Sequence, residues 1–255
     1  MRSTRSSRRR LLATGVATLA GLAGCLSGPS DTSPDLSPSE TDTSSESVSV
    51  ASLSVADFIV YPLAGDHPHV HRAADTQYVV VSIDTDRDAE TVRKRLALEL
   101  DGETVELASR QPAPWRTETV ERAFAVSKAR TTGGGRLLSG GLRLTDLSAE
   151  TVARLNSPPV FEVSEPSVQP AEISADEQTE ATVTFGLANT GTGAGTFGAS
   201  LKGNYVSGAA TVTVNLDAES ETEAEVSTSI VGDGEEATVR FDWGADEWVG
   251  RIPVV

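Results

Sequence analysis

The chain of 255 residues has a single cysteine, Cys25, which excludes a disulfide-stapled scaffold and any cysteine-rich zinc module. Bases are scarce: 21 lysines and arginines face 37 acids, and the formal charge is -16. A surface this acidic excludes nucleic acid as a partner, because phosphate binding needs a basic face. Long apolar runs are missing too. The longest uncharged apolar stretch, Leu11 to Gly24, has 14 residues, short of the roughly 20 a membrane-spanning helix requires. Catalytic signatures are also wanting. No Gly-x-Ser-x-Gly elbow occurs, and Gly133-Gly134-Gly135 lacks the lysine and following helix of a phosphate-binding loop. With the cysteine isolated and all three histidines within residues 67–71, no nucleophile has a base beside it in sequence. These absences point to a protein that is not an enzyme.

What is present is unevenly distributed. Residues 1–24 carry five arginines and no acid, and residues 25–50 carry five acids and no base. Residues 51–159 are nearly balanced, with 15 acids and 13 bases, whereas residues 160–255 have 17 acids and only 3 bases. Such blocks mark segments with different tasks. Only Lys94, Lys128 and Lys202 are lysines. This acidic, lysine-poor composition resembles that of proteins from salt-loving archaea, where a carboxylate surface keeps the chain soluble in brine.

Arg8 and Arg9 stand at the head of the apolar stretch, which ends in Leu22-Ala23-Gly24-Cys25. Length and flanks fit a secretory signal rather than an anchor helix. The order of arginine pair, apolar stretch and Leu22-Ala23-Gly24-Cys25 resembles twin-arginine-exported lipoproteins with a lipobox. That resemblance implies removal of residues 1–24, a thioether-linked lipid on Cys25, and attachment to the cell membrane with the protein facing the extracellular side. From Ser27 to Ser49, 15 of 23 residues are Ser, Thr or Pro and five are acidic. Such a segment buries too little apolar surface to offset its ordering entropy, so residues 25–50 read as a disordered tether. Its hydroxyls are candidate glycosylation sites.

Residues 51–159 read as a β-rich domain. Val55, Phe58 and Val60 open one strand, and Gln77 to Ile83 form a second, rich in β-branched residues. Leu96–Leu100 and Thr104–Leu107 flank Asp101-Gly102, a dipeptide suited to a two-residue hairpin. Val120–Val126 and Arg136–Leu144 read as further strands. Ser148 caps a short helix near 148–155, and Thr91 to Arg95 adds a helical turn. His67, His69 and His71 alternate, so in an extended segment they share one face. Three imidazoles there could hold Zn2+ or Cu2+, with Asp66 or Asp75 assisting. Pro68 and the small polar neighbours favour a solvated loop instead.

Residues 160–255 show cleaner alternation. Val183, Phe185 and Leu187 fall on one face of a strand ending in Asn189-Thr190-Gly191. Phe197, Ala199 and Leu201 continue the pattern. So do Val212, Val214 and Leu216, then Ala224 to Ile230, Val239 to Trp243, and Trp248 to Val254. About seven strands without a helix signal fit an immunoglobulin-like sandwich. The stretch Val183 to Gly191 resembles the V-x-N-x-G strand of the CARDB class of surface domains, in which Asn and Gly shape a turn. Glu219, Glu221, Glu223 and Glu225 alternate and read as a solvated strand face in preference to a weak cation site shared with Asp217. Trp243 and Trp248 read as core, and Trp115, between Pro114 and Arg116, as either an exposed contact or a packed edge residue.

The expected protein is therefore mainly β, with two immunoglobulin-like β-sandwich domains behind a signal peptide and a tether, and a short helix before the second domain. The function that follows is non-catalytic binding or adhesion at the cell envelope, to an envelope protein or glycan. The alternative is metal binding or delivery through His67, His69 and His71.

Overall fold

A computed structural model describes residues 47–62, 68–112, 119–204 and 209–255. Arg8, Arg9, Leu22, Ala23, Gly24 and Cys25 lie outside the described residues, as do His67 and Trp115. The described residues belong to one compact unit. The described chain is mainly β and of the β-sandwich class, with two large apolar cores and a smaller third cluster. Among the described residues no helix is long and apolar enough to cross a membrane.

The amino-terminal half contains β1 (Val48–Ala56), β2 (Ile59–Pro62), β3 (Pro68–His71), β4 (Thr76–Thr85), α1 (Ala89–Arg95) and β5 (Leu96–Leu100). It continues through β6 (Glu103–Val105), β7 (Thr119–Ser127), β8 (Gly135–Ser139), β9 (Leu142–Asp146) and α2 (Ala149–Asn156). One antiparallel sheet has the order β1-β4-β7, another the order β6-β5-β8-β9, and β2 pairs with β3. Alternation along β4 sends Val79, Val81 and Ile83 inward, where they meet Leu98, Leu100, Phe124 and Leu137. Val92 of α1 and Leu155 of α2 close this core. The other face of β4 buries Tyr78 against Ile59, Ala108 and Ala123. Both helices begin on side-chain caps. Asp88 accepts from the Thr91 N–H at 2.7 Å, and Ser148 Oγ from the Thr151 N–H at 3.1 Å.

The carboxy-terminal half contains β10 (Phe161–Val163), β11 (Ser167–Gln169), β12 (Gln178–Asn189), β13 (Gly195–Gly203), β14 (Ala210–Leu216), β15 (Ser220–Val231), β16 (Glu236–Asp242) and β17 (Glu247–Pro253). β12 is the spine of one sheet, pairing with β10, β11 and, over its whole length, β15. The facing sheet has the order β14-β13-β16-β17. Val183, Phe185 and Leu187 interlock with Phe197, Leu201, Val239 and Phe241 between the two sheets. The Phe185 and Phe241 rings lie 4.6 Å apart, within the range of favourable aromatic pairs. Trp243 and Trp248 pack against this core, as expected.

Four local expectations change. The stretch Val55–Val60 is two strands, broken at Asp57-Phe58. β1 begins at Val48, inside the segment read as tether, because Val48, Val50, Leu53 and Val55 pack onto the core while the intervening serines face outward. Arg136–Leu144 is a hairpin, with Gly140 and Gly141 at φ 59° and 84° turning the chain. Glu219 sits in a turn at φ 53°, outside β15. The Asp101-Gly102 turn is as expected: φ is positive at both residues, 52° and 83°, as a type I′ turn requires.

Candidate binding site at the junction of the two halves

The chain runs from α2 to β10 through only four residues, 157–160, so the two cores are brought close by covalent geometry alone. What fixes their contact is polar and charged. Asp57, between β1 and β2, is 2% exposed, and its Oδ2 accepts from Arg154 Nη2 of α2 at 2.8 Å. Arg154 Nη1 donates to the Ser157 carbonyl at 3.2 Å, tying the helix end to the linker. Burial pushes the Asp57 carboxyl above its ordinary range, against the opposing pull of Arg154, Lys128 and Arg72. The direction says that desolvation outweighs the ion pair here.

Arg72, just after β3, is 6% exposed and reaches into the other half. Its Nη1 donates to the Trp243 carbonyl at 3.1 Å. The guanidinium carbon lies 4.6 Å from the Phe197 ring centroid, 5.6 Å from Phe161 and 5.8 Å from Phe58. Three rings thus replace water around a buried cation. Desolvation pulls its pKa down to about 10. Close backbone approach completes the seam. A Cβ at Gly198 of β13 would overlap the Phe58 ring, so only glycine lets that ring lie flat on the strand.

Asn189 binds the linker to the carboxy-terminal half. It is 1% exposed and all its hydrogen-bonding capacity is used. Oδ1 accepts from the Val160 and Gly191 N–H groups, both at 3.1 Å, and Nδ2 donates to the Gly193 and Asp217 carbonyls at 2.9 and 2.8 Å. The Asn-Thr-Gly signal noticed in the sequence shapes a turn, and it also pins residue 160.

Beside this seam a groove of about 600 Å3 opens between the β1–β2 break and α2 on one side and β13 and β14 on the other. Asp57, Phe58, Arg154, Thr196, Asn215 and Asp217 are among its lining residues.

Of the sequence-derived candidates, His69 and His71 do lie on one face of β3, which pairs with β2 as a hairpin rather than forming a loop. Their rings flank Tyr61, at 5.8 and 6.3 Å between centroids. His71 Nε2 is 3.2 Å from Ser109 Oγ, and burial together with the Arg110 cation lowers its pKa. Among the described residues no three His, Cys, Asp or Glu side chains are grouped to hold a metal ion. Glu221, Glu223 and Glu225 line the exposed face of β15. The junction residues Asp57, Arg72 and Arg154 were not among the candidates. Their only sequence signals are an aspartate in an otherwise apolar stretch and glycines inside the β13 strand pattern.

No family model matches the chain, and no curated protein matches it. Among solved structures it is similar to a β-glucosidase from Erythrobacter marinus, at 18% identity and TM-score 0.31, over 38% of this chain and 16% of that one. A β-glucosidase from Listeria innocua in complex with isofagomine matches at 16% identity and TM-score 0.28, over 39% of this chain and 16% of the enzyme. Domains 4 and 5 of the S-layer protein SbsC match at 12% identity and TM-score 0.22, over 81% and 99%. The chain thus spans 16% of the length of either glucosidase. Likenesses this distant assign no activity.

Proposed function

We propose that the protein is a non-catalytic, lipid-anchored surface protein whose immunoglobulin-like sandwiches bind a component of the cell envelope, a protein or a glycan. The observation that carries this reading is the ordered run from Arg8 and Arg9 through the apolar stretch to Leu22-Ala23-Gly24-Cys25. Directly after it comes a Ser/Thr/Pro and acidic segment that ends where β1 begins. A lipid on Cys25 contributes about 0.8 kcal/mol per buried CH2, so two long chains would hold the protein at the membrane. The tether, at most about 80 Å long when extended, would lift the sandwiches off the surface. The junction supports a binding role over a catalytic one. Its carboxylate and guanidinium are engaged with each other, and no nucleophile stands beside a general base in the groove.

Fractionation of cells expressing Cys25→Ser tests the anchor. The variant is expected in the soluble external fraction, whereas the native chain sediments with membranes; a variant that stays with the membranes overturns the reading.

A further inference from the structure

We propose that the junction groove is a saccharide-binding site, an inference that rests on the envelope-binding reading and names its ligand class. The volume of about 600 Å3 falls inside the range of about 300–1,000 Å3 typical of small-ligand sites, which gather at interfaces between folded parts. Charge decides what such a groove can take. Arg154 is the one cation among the described lining residues and is committed to Asp57 at 2.8 Å, while Arg72 and Lys128, which also act on Asp57, are not part of the lining. The groove thus offers a phosphate or sulfate no free cation and sets the exposed Asp217 carboxylate against it. A divalent cation would face the Arg154 guanidinium with one carboxylate already committed to it. A neutral ligand rich in both donors and acceptors remains.

The polar groups available suit hydroxyls. Thr196 and Asn215 are paired across β13 and β14, and Thr196 Oγ1 donates to Asn215 Oδ1 at 2.7 Å. That bond fixes the amide and leaves Asn215 Nδ2 to donate outward. The Asp217 carboxylate makes no hydrogen bond to the described residues, while its backbone carbonyl is occupied by Asn189 and Ser220. A donor amide and an acceptor carboxylate two residues apart present complementary partners to neighbouring ring hydroxyls, each of which both gives and accepts. Phe58 and Val55, both half-buried in the lining, supply apolar surface for the C–H face of the sugar. Recognition through fixed side chains distinguishes this from peptide capture, which relies on backbone pairing along a strand edge.

The test uses the full chain in a detergent without a sugar headgroup, titrated calorimetrically with cellobiose, maltose, chitobiose and mannobiose. Saturable uptake of at least one is expected, weakened about tenfold in Asn215→Ala, which removes one hydrogen bond. Ala194→Trp, a substitution at an exposed position lining the groove, is expected to abolish it. A Ser164→Ala control on the far sheet should bind as the native chain does. No uptake of any disaccharide overturns the proposal, as does uptake that neither groove variant alters, or competition by a glycine-rich peptide but not by sugar. Retention on purified envelopes separates the two readings. Undiminished retention of Ala194→Trp removes the groove from the envelope-binding function and leaves that function standing. A native chain that takes up disaccharide but is not retained overturns the envelope reading instead.

Discussion

The two halves of the described chain handle charge in opposite ways. In the amino-terminal half the acids have bases nearby: Glu99 meets Arg136 at 2.6 Å, Glu90 meets Arg93 at 3.0 Å, and Glu103 meets Arg130 at 3.2 Å. The carboxy-terminal half has 17 acids and 3 bases, and two of those bases are taken by Glu247 and Glu236 at 2.8 and 2.9 Å. Glu221, Glu223 and Glu225 on β15 are left to solvent. One half is nearly neutralised from within, and the other keeps its excess of negative charge at the surface. The denser aromatic core sits under the more repulsive surface, with Phe185, Phe197 and Phe241 all buried. Apolar burial of that kind does not depend on ionic strength in the way that unpaired surface charge does.

The largest expected effect comes from uncoupling the halves. Arg72→Ala deletes the guanidinium set among Phe58, Phe161 and Phe197 and leaves the Trp243 carbonyl without its donor. Denaturant unfolding should show a loss of about 3 kcal/mol and a split of one transition into two. A single transition with an unchanged midpoint would mean that the seam does not join the halves energetically.

A smaller effect sharpens the charge contrast. Replacing Glu221, Glu223 and Glu225 together by Gln removes like charges spaced two apart on one strand face. The gain should be about 1 kcal/mol at low ionic strength and vanish in about 1 M salt, where the screening length is about 3 Å. An equal gain at both salt levels would show that repulsion is not its source.

The smallest concerns the amino-terminal half alone. His71 has a lowered folded pKa, caused first by burial and then by Arg110; Tyr61, Tyr78 and Ser109 also face it. The unfolded chain therefore takes up the proton more readily. Stability should be full above the ordinary value of 6.5 and decline as pH falls below it. His71→Gln should flatten that part of the pH profile between about pH 7.5 and 5; a slope that survives belongs to another group.

Much of the strand inventory is legible because period-two alternation with branched and aromatic residues is strong in β4, β12 and β16. The Asp101-Gly102 turn and the Ser148 cap are legible because each is a short-range rule acting on adjacent residues. β1 escaped because serines fill its outward positions and imitate the tether composition. The junction escaped for a different reason. Asp57 and Arg154 are 97 positions apart, and Arg72 and Trp243 are 171 apart. A buried charge has no periodicity, and its partner is chosen by the tertiary fold alone.

Asn189 has a consequence for resistance to proteolysis. The stretch joining two packed cores is ordinarily where a protease finds slack backbone. Here the Val160 amide is held by the Asn189 side chain and the Val160 carbonyl by the Thr190 amide at 2.8 Å, while Arg154 holds the Ser157 carbonyl. Cleavage within this stretch requires those bonds to release first. The resistance of this hinge is then tied to the integrity of the carboxy-terminal core rather than to the length of the connection.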